Sequence, residues 1–136
     1  YLSAYFERNR KEYYRLLLAV SQENAWLEWI AYFVRGVAEQ SNDGIARTDR
    51  LLKLWQRYRA KLQWERSAGT LLAIIDRLFD APALTVPQTV KRFKLSTPTA
   101  QLNINKLVAA GILKEATGMQ RNRVYVAQEI IRAVEA

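Results

Sequence analysis

The chain has 136 residues, half of them apolar, which is enough for one ordinary domain or two small helical units and too few for an enzyme of separate lobes. Twenty-one Lys and Arg against thirteen Asp and Glu leave a formal charge of +8, suited to a polyanionic partner or simply to a solvated surface. The absence of Cys excludes a disulfide framework and a thiolate zinc site, and the absence of His removes the commonest general base and metal ligand.

Tyr1 rather than Met stands first and enters an amphipathic pattern with no signal-like leader, so the expectation is a piece of a longer chain. No apolar run nears the ~20 residues of a membrane span, and a soluble, cytoplasmic protein is expected. Leu2, Tyr5, Phe6, Tyr13, Leu16, Leu17 and Val20 recur at helical spacing and predict one helix over residues 2–20, with Ser3 as its N-cap. After a polar break at residues 21–24, Trp26, Trp29, Ile30, Phe33 and Val37 predict a second helix, with Asn24 as a plausible cap. Aromatic side chains at this period normally bury, so Tyr13, Tyr14, Trp26, Trp29 and Phe33 are expected in a core. Residues 41–44, Ser-Asn-Asp-Gly, read either as a turn or as part of one long bent helix, since Ile45, Leu51, Leu52, Trp55, Tyr58 and Leu62 resume the period. Arg50, Lys53, Arg57 and Lys61 share a face of that segment, which is better read as solvated than as a phosphate track.

The pattern stops between Trp64 and Ser67, which divides the chain into a helical region, residues 1–64, and a second region, residues 65–136. The C-terminal half is the more basic, residues 66–136 holding ten Lys and Arg against five Asp and Glu. Ser67 is positioned to cap a helix carrying Leu71, Leu72, Ile74, Ile75, Leu78 and Phe79, which Pro82 ends. Thr85 and Gln88 fit a capping box for a short helix burying Val90, Phe93 and Leu95. A turn at Lys94 and Leu95 leads to Ser96, the cap of the next helix, where Pro98 is tolerated in the first turn. Past Gly111, residues 112–115 and 124–126 predict two short strands around a loop that ends in Arg121-Asn-Arg123. The fold class that follows is mainly α: a helical scaffold, then a winged helix-turn-helix with a small two-stranded β wing.

If Ala100, Ile104, Leu107 and Val108 face the core, the helix over residues 97–109 turns Thr97, Thr99, Leu102, Asn103, Asn105 and Lys106 outward. Thr and Asn hydrogen-bond base edges, leucine meets a thymine methyl, and lysine reaches guanine or phosphate. Arg121 and Arg123 at the wing tip would add cations against phosphate or minor groove, so duplex DNA is the expected partner. The alternative is a protein-interaction module whose basic residues are incidental. No glycine-rich phosphate loop or paired carboxylates in an apolar stretch offer a catalytic, metal or cofactor site.

The run YLSAYFERNRKEYYRLL, Trp-Leu-Glu-Trp at residues 26–29 and YFVRGVAEQ from Tyr32 resemble the segment that follows the active site in Fic-family proteins, which transfer AMP from ATP to protein hydroxyls (AMPylation). Members often continue into a winged helix with an L-x-x-x-G-I-L turn and an R-N-R-V-Y strand, as at residues 107–113 and 121–125 here. The family signature H-P-F-x-x-G-N-G-R is absent, so no catalytic residue carries over, and ATP and Mg are implied only for a catalytic part lying upstream. The resemblance implies a C-terminal fragment that is inert by itself. The remainder of a Fic-like domain is its implied partner, and wide apolar stripes over residues 1–62 also favour a homodimer.

Overall fold

The computed structural model describes residues 2–136 and is mainly α-helical, with seven helices and one three-stranded antiparallel sheet among the described residues. None of these helices is long and apolar enough to cross a membrane. The chain forms two compact units, one ending at Thr48 and one running from Asp49 to Ala136.

In the first unit, α1 (Leu2–Arg8) and α2 (Arg10–Glu23) replace the single helix expected over residues 2–20. Ser3 lies within α1 and is not its cap. The break falls at Asn9, whose side-chain amide donates to the Tyr5 carbonyl at 2.9 Å and so competes with the backbone ladder. Asn24 ends α2 rather than starting the next helix, in the left-handed conformation at φ 58° that asparagine tolerates. α3 (Trp26–Leu62) then runs without interruption through residues 41–44, so the open junction resolves as helix. There the Thr48 hydroxyl donates to the Gly44 carbonyl at 2.9 Å.

Tyr5, Leu16 and Tyr32 are buried here, with Phe6, Tyr13 and Trp29 packed around them. Gly36 is required by that packing, because a Cβ would lie 2.6 Å from the Tyr5 ring. Tyr14, Trp26 and Phe33 do not join the core as expected: they are 56, 53 and 40 % exposed. α2 and α3 carry apolar side chains on more than one face, and only the face toward the Tyr5 cluster is covered within this unit.

The second unit begins earlier than the division expected near residues 64–67, because Leu54, Tyr58 and Leu62 of α3 share a core with Leu71, Ile74, Ile75 and Leu78 of α4 (Ala68–Asp80). After α4 come β1 (Ala83–Thr85), α5 (Val86–Phe93), α6 (Thr97–Ala109), β2 (Lys114–Glu115), β3 (Val124–Val126) and α7 (Gln128–Glu135). The sheet order is β1-β3-β2, with Leu84 and Glu115 both opposite Tyr125. Two helices meeting at a tight corner, followed by a hairpin that pairs with a strand placed before them, make a winged helix-turn-helix. Sequence reasoning anticipated a two-stranded wing; β1 adds a third strand and α7 a closing helix.

Local chemistry explains the corner. The Thr85 and Gln88 capping box forms as expected, and Ser96 accepts from the Thr99 amide at the start of α6. Lys94 between them adopts φ 52°, which reverses the chain in one residue. Gly111, at φ 74°, lets the amides of Ile112 and Leu113 both return to the Leu107 carbonyl, at 2.9 and 3.2 Å. Three of the four cations on the basic face of α3 are engaged: Lys53 pairs with Asp49 at 2.7 Å, Arg57 with Glu129 at 2.8 Å, and Lys61 donates to the Ala110 carbonyl at 3.2 Å. Glu129 also accepts from the buried Tyr58 hydroxyl at 2.8 Å, which anchors α7 to α3.

Candidate nucleic-acid interface

Ala100, Ile104 and Leu107 are fully buried, as expected, but Val108 is 38 % exposed. Without Val108 the centre of the buried stripe rotates toward Asn103, which is only 2 % exposed. Its amide nitrogen donates to the Thr99 carbonyl at 2.9 Å, and its carbonyl oxygen accepts from the Ser67 hydroxyl at 3.1 Å. Asn103 is therefore a structural residue, and its expected place in the groove is corrected. Lys106 lies on the same flank, where its ammonium meets Glu65 and the Ser67 hydroxyl, both at 3.3 Å, so its charge is committed within the unit.

Thr97, Thr99, Leu102 and Asn105 are exposed along α6, though the Thr99 hydroxyl is already bonded to that of Ser96 at 2.7 Å. Gln101, missed in the sequence, stands one turn before Asn105. Its amide nitrogen donates to the Asn105 carbonyl oxygen at 2.9 Å and to the Tyr125 hydroxyl at 3.3 Å, tying α6 to β3. The i, i+4 spacing from Asn105 was the available signal.

Arg121 and Arg123 are exposed on the wing, and neither forms an ion pair among the described residues. Arg123 donates to the Met119 carbonyl at 2.8 Å, and Asn122 between the two takes φ 54°. At the other end of the loop, Glu115 gathers the Thr117 hydroxyl and amide and the Gly118 amide. The hydrogen bond from the Thr117 hydroxyl, with the backbone amides and Arg123 adding to it, holds this carboxyl below its ordinary range.

No family model matches this chain. The geometry has to carry the functional reading, and its central fact is a cleft of about 480 Å³ lined by Val86 and Pro87 of α5, Gln101 of α6 and Gln120, Arg121, Asn122 and Arg123 of the wing. Of the α6 side chains only Gln101 lines this cleft with both wing arginines; Thr97, Thr99, Leu102 and Asn105, like Asn103 and Lys106, are not among its lining residues. No carboxylate lines that cleft.

Charge is divided just as sharply. The first unit holds six Lys and Arg against six Asp and Glu, and the second holds fifteen against seven, so the whole formal +8 resides in the winged-helix unit.

Proposed function

We propose that the winged-helix unit binds duplex DNA, with α6 in the major groove and Arg121 and Arg123 against the neighbouring backbone or minor groove. The observation that carries this reading is the shared cleft of Gln101 and the wing arginines, on a unit holding all of the chain's net positive charge. Thr97, Leu102 and Asn105 complete the reading surface. With the Gln101 amide nitrogen engaged by Asn105, the pair presents an acceptor from Gln101 and a donor from Asn105, the complement of the amino group and N7 of adenine.

Fluorescence anisotropy of a mixed-sequence duplex across a salt series tests it. Binding weakens linearly in log salt, and Arg121→Ala with Arg123→Ala lowers the slope by roughly two, since each phosphate contact contributes about 0.9. Lys106→Ala leaves the slope unchanged because Glu65 already neutralises that ammonium. No binding at low salt rejects the reading.

A specific observation also favours a protein-interaction module: the exposed face of α6 carries Leu102 and Val108 but no uncommitted cation. Docking through that face responds to Leu102→Glu and hardly to salt. The resemblance to the segment after the Fic active site supports a wider proposal, that this chain is the C-terminal regulatory or targeting part of a Fic-like protein adenylyltransferase and has no transferase activity alone. Incubation with labelled ATP then gives no transfer, and robust labelling overturns it.

A further inference from the structure

We infer that the first unit associates with a second copy of this chain through the open face of α3. Leu27, Ile30, Val34 and Val37 follow one another at intervals of three, four and three residues, and they are 82, 52, 58 and 43 % exposed. That is the a and d spacing of a helix seam meant for another helix, not of a solvated surface. The same register continues into Ser41 and Gly44. Gly36 is small because Tyr5 lies against it, whereas a Cβ on Gly44 would meet nothing within 4 Å, so the space beside Gly44 is left open by its own chain.

Size and charge both select a like partner. With Trp26, Phe33 and Ile45 alongside, the stripe leaves roughly 800 Å² of apolar side chain open, taking ~200 Å² for a whole large side chain. This is about one partner's share of a standard stable interface. The six positive and six negative side chains of this unit cancel, so the surfaces that would meet carry no net charge of their own and offer a polyanion nothing to grip, the chain's +8 lying in the other unit. Among the described residues the buried large apolar side chains of this unit are Tyr5, Leu16 and Tyr32, and covering the stripe supplies the apolar burial that this small core lacks.

Sedimentation equilibrium of the whole chain tests the inference, and it is independent of DNA binding. A plateau at twice the chain mass is expected. Val34→Glu should weaken association at least a hundredfold, and Leu102→Glu, on α6, should not change it. A monomer at every concentration, growth without a plateau, or a Val34→Glu dimer as tight as wild type overturns it. A second measurement does not depend on Val34→Glu folding: the chain has no Cys, so Ile30→Cys, Val37→Cys and Ser41→Cys are single thiols. Mild oxidation should join chains from at least one of these positions and not from Glu39→Cys, off the stripe. Failure at all three stripe positions, or equal joining through Glu39→Cys, rejects the seam.

Discussion

Replacing Asn103 with alanine separates the two roles this residue was open to. Its side chain is 2 % exposed and makes two hydrogen bonds, to the Thr99 carbonyl at 2.9 Å and from the Ser67 hydroxyl at 3.1 Å. A typical intramolecular hydrogen bond contributes about 1 kcal/mol net, so the pair sets an upper scale of about 2 kcal/mol. The loss falls somewhat short of that scale, because the half-buried Ser67 hydroxyl can turn to donate to water and the Thr99 carbonyl retains its place in the helical ladder. A loss of about 1–2 kcal/mol in a unit of this size lowers the midpoint of thermal unfolding by about 5–15 °C. Circular dichroism melting of Asn103→Ala measures it, and duplex titration well below the midpoint supplies the second readout, where affinity stays within about twofold of wild type. An unchanged midpoint accompanied by a tenfold loss of duplex affinity would refute the reasoning, because it would mean that Asn103 reaches outward.

Gly36→Ala brings a Cβ within 2.6 Å of a buried aromatic ring, and overpacking of this kind costs about 1–3 kcal/mol; urea unfolding followed by tryptophan emission reads it, Trp26 and Trp29 reporting the first unit and Trp55 and Trp64 the second. Glu129→Ala leaves the buried Tyr58 hydroxyl without its acceptor and destabilises the second unit by about 1–3 kcal/mol, measurable as a shift in the urea midpoint with little change in slope. The Glu115 carboxyl is held below its ordinary range, so its support of the wing turn is present at neutral pH and down through the ordinary carboxylate value of 4.5, and is lost as pH falls through the depressed folded value. Amide exchange at Thr117 and Gly118 therefore accelerates in strong acid relative to a peptide reference, and Glu115→Gln removes that acid-dependent step.

Local signals in the sequence were legible where a few neighbouring residues decide the structure. The Thr85 and Gln88 box, the Ser96 cap and the Gly111 turn each need only side chains within a few positions, and all three form. β1 was not legible, because Ala83, Leu84 and Thr85 are too few to show a period and become a strand only by pairing with Val126, Tyr125 and Val124 some forty positions on. α7 was missed for the same kind of reason: its burial centres on Ile130, and its tether, Glu129, makes sense only beside Arg57 and Tyr58. On α6, one misplaced core position was enough to exchange the roles of Asn103 and Gln101. Counting Val108 as core tilted the wheel, which put an inward asparagine outside and hid the glutamine that bonds to both Asn105 and Tyr125.

Net charge is segregated along the chain, with the apolar stripe of α3 on the neutral unit, and that bears on how a weak cationic contact becomes useful. The winged-helix unit carries the entire +8 but offers few uncommitted cations at its cleft, chiefly Arg121 and Arg123. Two phosphate contacts give shallow salt dependence and modest affinity for one unit on one site. Association through the neutral unit would place two winged helices in one molecule, so the second binds at an effective concentration set by its tether and not by bulk protein. Duplex carrying two half-sites should then bind the wild-type chain at least tenfold tighter than duplex carrying one. Val34→Glu should abolish that ratio while leaving single-site affinity unchanged. Equal affinity of the wild-type dimer for one and two half-sites, over a series of spacings, would separate self-association from DNA recognition.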